Sequence, residues 1–132
     1  MAGMETTIVR QISGIKELKS IIENNTGLII ISFRATWCEP CKRVTPLIDD
    51  YLNNPPKIGG ITSYIIDIDE CIQIYMELKR LRILTGVPSL ICYKAGNYDF
   101  YPEDAVFGSD ETQIVQFFER CSKLLKTVVT VA

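Results

Sequence analysis

One stretch, Trp37-Cys38-Glu39-Pro40-Cys41-Lys42, constrains this chain more than any other. Two cysteines separated by two residues can close a small disulfide ring, hold one corner of a metal site, or simply lie near each other. The flanking residues narrow the choice. Upstream, Leu28-Ile29-Ile30-Ile31-Ser32-Phe33 is short, apolar and rich in β-branched residues, which predicts a buried strand. Downstream, Val44, Leu47, Ile48, Tyr51 and Leu52 recur at helical spacing, so Cys38 is expected at the start of a helix. A sulfur there faces unpaired backbone N–H groups and the positive end of the helix dipole, and both favour thiolate over thiol. Cys41, one turn further in, is expected to be more deeply buried. The pattern thus supplies an exposed attacking sulfur and a shielded resolving one, the two parts that thiol–disulfide exchange needs.

Composition limits the alternatives. At 132 residues, 47% apolar and 23% charged, the chain can bury a full core and reads as a single domain, 1–132. A net charge of -2 and a pI near 5.2 argue against nucleic acid or an anionic membrane as partner. With no histidine, Cys–His nucleophile pairs and histidine-containing zinc sites are excluded. A four-thiolate metal site would have to recruit Cys71, Cys92 or Cys121, and there is no second Cys-x-x-Cys to supply the usual corner. Five cysteines in a well-cored chain do not form a disulfide scaffold, and the odd number leaves a free thiol. Neither a secretory signal in Met1 to Arg10 nor an apolar run approaching the roughly 20 residues of a spanning helix is visible. The expected setting is intracellular and reducing, the cytoplasm.

Turn signals and periodicity divide the rest. Thr6 to Ile12 is expected to be an edge strand, and Ser13 an N-cap for a helix bearing Ile15, Leu18, Ile21 and Ile22. Asn53-Asn54-Pro55-Pro56 ends the second helix, and Gly59-Gly60 completes the loop to a strand over Ile61–Asp69. Cys71, Ile74, Tyr75, Leu78 and Leu81 form a third helical stripe. Strands are expected over Ser89–Ala95 and Asp99–Phe107, the latter interrupted near Pro102. Asp110 is placed to cap a last helix with the stripe Ile114, Phe117, Phe118, Cys121, Leu124, Leu125 and Val128, and the β-branched tail Val128–Val131 is expected to fray or to pair with a neighbour. The order β-α-β-α-β-α-β-β-α implies an α/β fold with helices on both faces of a mixed sheet. Cys92 and Cys121 fall on buried stripes and read as core thiols. Cys71 opens a helix, where a thiolate is favoured, and is a candidate for a regulatory or intermolecular disulfide.

Taken together, Trp-Cys-x-Pro-Cys-Lys, the helical Pro46, Gly86-Val87-Pro88-Ser89 and the later Gly108 resemble the thioredoxin family over roughly Thr6 to Lys126. The resemblance implies the thioredoxin fold and a reducing dithiol/disulfide cycle in which Cys38 attacks a client disulfide and Cys41 resolves the mixed disulfide, the alternatives being a disulfide oxidant or isomerase and a redox-inactive binding module on the same fold. It implies a cis peptide at Pro88 lying against the two sulfurs. The client would be met by Trp37, Glu39, Pro40, Val87 and Pro88, with the Val87 backbone pairing to an extended segment. No bound cofactor is implied. Reducing equivalents would come from a thioredoxin-reductase-like partner using NADPH, and the other partners would be disulfide-containing client proteins.

Four positions depart from the family pattern, one of them Glu39, which puts Glu-Pro inside the ring where Gly-Pro is common. Ser32 stands where thioredoxins usually carry a buried aspartate, and Ile65 where they carry its partner lysine; losing both avoids leaving one charge alone in the core. A water or Glu39 is then expected to handle the resolving thiol's proton. Arg34 replaces a usual tryptophan and is expected either to offset Glu39 or to recruit an acidic partner. Extra residues between Gly96 and Gly108 are expected to reshape the substrate surface.

Overall fold

Leu28–Arg34 becomes the middle strand of a five-stranded sheet, the position that an unbroken apolar run requires. The computed structural model describes residues 7–54 and 60–131, so Thr6 of the first strand and Pro55, Pro56 and Gly59 of the loop lie outside the described residues. The elements are β1 (Thr7–Val9), α1 (Ile15–Glu23), β2 (Leu28–Arg34), α2 (Glu39–Asn53), β3 (Ile61–Asp67), α3 (Ile72–Arg80), β4 (Ser89–Lys94), β5 (Asp104–Phe107) and α4 (Glu111–Val131). Their order along the chain is the one read from the sequence.

Across the sheet the strands run β1-β3-β2-β4-β5. The first three are parallel, with β1 on the edge, while β4 pairs antiparallel to β2 and β5 antiparallel to β4. Alternation along β2 feeds two cores. Ile29, Ile31 and Phe33 face α1 and α3 together with Tyr64, Ile66, Ile91 and Tyr93. Leu28 and Ile30 face α2 and α4 with Ile61, Ile65, Leu90 and Cys92. Ile114, Phe117, Phe118, Cys121 and Leu125 of α4 are all buried on that second face. Each large apolar side chain so enclosed contributes about 1.5–3 kcal/mol.

Apart from earlier strand ends, with β1 stopping at Val9 rather than Ile12, β3 at Asp67 rather than Asp69 and β4 at Lys94 rather than Ala95, the sequence reading is corrected in four places. Ser13 does not cap α1: Gly14 occupies the N-cap position without a side-chain bond, and Ser13 instead donates its backbone N–H to Glu17 Oε1 at 2.6 Å. Glu17, in the first turn, reaches back over the helix start and makes the serine hydroxyl unnecessary. The expected strand over Asp99–Phe107 shortens to β5, because residues 97–101 fold on themselves through Asn97 and Asp99 side-chain bonds. The tail neither frays nor pairs as a strand; α4 continues for 21 residues to Val131. No Gly or Pro follows Asp110, and propagation of an existing helix outweighs the weak β preference of valine and threonine.

The fourth correction concerns the stretch after Gly96. It lies at the far pole of the sheet, where Leu28 pairs with Lys94 and Ala95 donates to the Gly27 carbonyl at 2.9 Å. Tyr93 Oη donates to the Phe100 carbonyl and Tyr101 Oη to the carbonyl of Leu81, just past the end of α3. The opposite pole, where β2 ends, carries the cysteines. Residues 97–103 therefore lie away from the cysteines, and only the end of β5 and Gly108 return to their pole.

Candidate active site

Strand β2 delivers the chain through Ala35-Thr36-Trp37 to Cys38, which sits in extended conformation as the N-cap of α2. The helix starts at Glu39, and Pro40 costs nothing in its first turn, where an N–H would have no intrahelical acceptor. Cys38 and Cys41 close as a disulfide, with Cα atoms 5.2 Å apart. The Cys41 backbone N–H donates to Cys38 Sγ at 3.2 Å, so the sulfur takes the place an oxygen usually fills in a helix cap. Pro46 lies inside α2 as expected, and Thr45 Oγ1 donates to the Cys41 carbonyl at 2.8 Å.

Because β4 runs antiparallel to β2, its first residues return to the end of β2, with Ser89 opposite Phe33. That register brings the Val87–Pro88 peptide, which is cis, beside the cysteines. Cys38 Sγ lies 3.8 Å from the Val87 carbonyl oxygen. Gly108 closes the same corner by donating its N–H to the Pro88 carbonyl at 2.9 Å, with a φ of 91° that favours glycine.

Exposure divides the expected site residues. Cys38 and Cys41 are 4% and 2% exposed, so the first sulfur is not the open one that the sequence pattern suggested. The Val87 carbonyl lies against it on one side. Trp37 is 63% exposed, and its indole N–H is held by Asp69 Oδ2 at 2.8 Å, so it stands beside the ring as an outward apolar plate. Glu39 and Pro40 are exposed. Val87 is half-buried and Pro88 buried.

The expected pairing of Arg34 with Glu39 is not made. Glu39 Oε1 accepts from Lys42 Nζ at 3.1 Å on the surface, one helical turn away. Arg34 turns inward under α2 and binds Asp49 through two bonds, 2.9 and 3.3 Å, while its Nη2 also donates to Ser32 Oγ at 2.9 Å. A two-pronged pair beneath a helix outcompetes an exposed carboxylate. Ser32 and Ile65, the two positions lacking the family's charges, are direct register partners across β2 and β3. Three contributors were not picked out from the sequence: Asp69, which anchors Trp37, Asp49, which anchors Arg34, and the N–H of Gly108. Only Asp69 left a local signal, the acidic run that follows the β3 apolar stretch.

The remaining thiols stay apart from the pair. Cys71 is buried and donates its thiol to the Ile12 carbonyl at 3.4 Å, which leaves no open helix-start sulfur for an intermolecular disulfide. Cys92 and Cys121 are both buried in the layer between the sheet and α4; the neighbouring Cys121 thiol, and then burial, push the Cys92 pKa strongly upward. Among the described residues, no three His, Cys, Asp or Glu side chains converge as a metal site.

The family model for thioredoxin matches residues 11–120. The chain belongs to the thioredoxin family. Thioredoxin 1 of Plasmodium falciparum is 28% identical over 113 residues, 86% of this chain and 97% of that one. Thioredoxin-1 of Schizosaccharomyces pombe is 32% identical over 89 residues, 67% of this chain and 79% of its own. The crystal structure of Malassezia sympodialis thioredoxin superposes with a TM-score of 0.67 at 26% identity, covering 88% of this chain and 90% of the other. The thioredoxin fold, a family match over most of the chain, and a Cys-x-x-Cys pair at disulfide distance identify a thiol–disulfide oxidoreductase.

Proposed function

We propose that the protein reduces disulfides in client proteins, with Cys38 as nucleophile and Cys41 as resolving thiol. The observation that carries the assignment is the Cys41 N–H aimed at Cys38 Sγ at the start of α2. A negative charge on Cys38 gains that hydrogen bond and the helix dipole, whereas Cys41 lies inside the first turn and is offered neither. The Cys38 thiolate attacks one sulfur of the client disulfide; a Cys38–client S–S bond forms and the other client sulfur departs as a thiolate, which takes a proton from water. Deprotonated Cys41 then attacks Cys38 Sγ. The mixed disulfide breaks, the client leaves with both sulfurs reduced, and the protein holds the two-electron oxidised pair.

Trp37 gives the client an apolar surface, Glu39 and Pro40 form the rim, and Val87 and Pro88 present backbone to an extended segment. Two electrons and two protons restore the dithiol, supplied by a thioredoxin-reductase-like flavoprotein drawing on NADPH. The working compartment is the reducing cytoplasm; among the described residues, no helix is long and apolar enough to cross a membrane.

The test is turnover of a protein disulfide combined with a redox titration of the pair. Cys38→Ser abolishes reduction, while Cys41→Ser accumulates covalent client adducts. The couple lies below the glutathione poise. Turnover retained by Cys38→Ser would refute the nucleophile assignment, and a couple above that poise would refute the direction.

A further inference from the structure

Resting on the assignment of Cys41 as resolving thiol, we propose that Arg34 is a positioning residue that holds positive charge against Cys41 and so replaces proton abstraction by electrostatic stabilisation of the resolving thiolate. Ser32 and Ile65, register partners beneath α2, put neither the family's carboxylate nor its ammonium at these two positions. Arg34, two residues beyond Ser32 on the same face of β2, brings a charge back towards that place.

A cleft of about 430 Å³ opens beside Cys41. The charged groups lining it are Arg34 from β2, Lys42 from α2, Arg10 from the segment after β1, Asp67 at the end of β3 and Glu70 from the turn before α3. Asp49 is not among them. Arg34 thus lines the cleft together with Cys41, whereas its partner Asp49 does not. Ser32 Oγ takes a third guanidinium bond and holds the arginine beneath α2. Arg34 is only 16% exposed in its side chain, so water screens its field much less than it screens Lys42 at 57%. When Cys41 loses its proton to water, the new charge faces an arginine that stays protonated throughout.

The two ends of the pair make opposite predictions. Removing the guanidinium leaves Asp49 as an uncompensated anion and disfavours the Cys41 thiolate. Neutralising Asp49 frees the full cation and favours it. The experiment is rapid mixing of the reduced protein with an excess of a chromogenic aromatic disulfide, dithiobis-nitrobenzoate, across a pH series. The first coloured thiolate reports attack by Cys38, and the second reports attack by Cys41 on the Cys38 mixed disulfide.

With Arg34→Gln the pH midpoint of the second phase rises by about one unit, slowing it about tenfold below the midpoint. Asp49→Asn moves the midpoint downward, and Arg34→Lys restores most of the wild-type profile. An unmoved second midpoint in Arg34→Gln, or movement of both neutral variants in the same direction, overturns the proposal; a general loss of packing would act in one direction only. A wild-type protein that releases no second thiolate would overturn the resolving role of Cys41 itself, a separate failure from that of Arg34.

Discussion

Replacing Arg82 by glycine should stabilise the protein. Helix α3 ends in a reverse turn: Ile83 donates its N–H to the Leu78 carbonyl at 2.8 Å and Arg82 to that of Lys79 at 2.9 Å. This double bond pattern needs a left-handed residue between helix and exit, a position glycine usually fills. Here Arg82 fills it, at a φ of 62°. A left-handed conformation costs a residue with a Cβ about 1–2 kcal/mol, and glycine's greater freedom in the unfolded chain returns about 0.5–1 kcal/mol of the gain. The net expectation for Arg82→Gly is about 0.5–1 kcal/mol of added stability. With an unfolding entropy of about 2.1 cal/mol/K per residue, that raises Tm by about 2–4 °C.

Guanidinium chloride unfolding of wild type, Arg82→Gly and Arg82→Ala measures this directly. Alanine keeps the Cβ and removes the rest of the side chain, including a guanidinium that follows Lys79 and Arg80 of the last turn of α3 in sequence. If alanine gains as much as glycine, relief of charge repulsion is the cause and the backbone argument is refuted. A loss of stability in Arg82→Gly refutes it as well.

Two further expectations concern buried polar groups. Ser63 is fully buried in β3, and among the described residues its hydroxyl has no hydrogen-bond partner; Ser63→Ala should raise stability by about 1 kcal/mol in the same assay, and a loss of similar size would reveal a partner. Burial raises the pKa of Tyr51, Tyr64 and Tyr93, while the neighbouring Cys121 thiol and burial raise that of Cys92. The folded state thus keeps protons that the unfolded chain releases. Their contribution is complete below the unfolded values, about 8.5 for a thiol and about 10 for a phenol, and is lost as pH climbs through them. The unfolding midpoint should therefore fall on the alkaline side, less steeply in Tyr93→Phe; an alkaline limb identical in that variant would exclude Tyr93 from the effect.

Much of this molecule is legible in its sequence, for reasons that differ by residue. Leu28–Arg34 reads as a buried central strand because both its faces are covered, and Cys38 reads as a helix-start sulfur because the apolar spacing downstream is unambiguous. Arg34 misleads because its direction depends on Asp49, a residue fifteen positions later on another element, and local pattern carries no term for that pairing. The exposure of Cys38 is misread for a related reason: the Val87 carbonyl beside it arrives only through the antiparallel return of β4. The place of the insertion after Gly96 is likewise a property of topology, since loop length alone does not say at which pole of the sheet a connection lies.

Depth also separates the sulfurs. Cys38 and Cys41 sit at the pole where β2 ends and α2 begins, while Cys92 and Cys121 are packed inside the layer between the sheet and α4. A protein whose work is to pass disulfides from one sulfur to another thereby keeps its own spare thiols beyond reach of its reactive pair. Miswiring requires that layer to open. In the native chain, the rate at which a small alkylating reagent captures Cys92 and Cys121 becomes a clock for that opening, recorded by residues that take no part in the exchange itself.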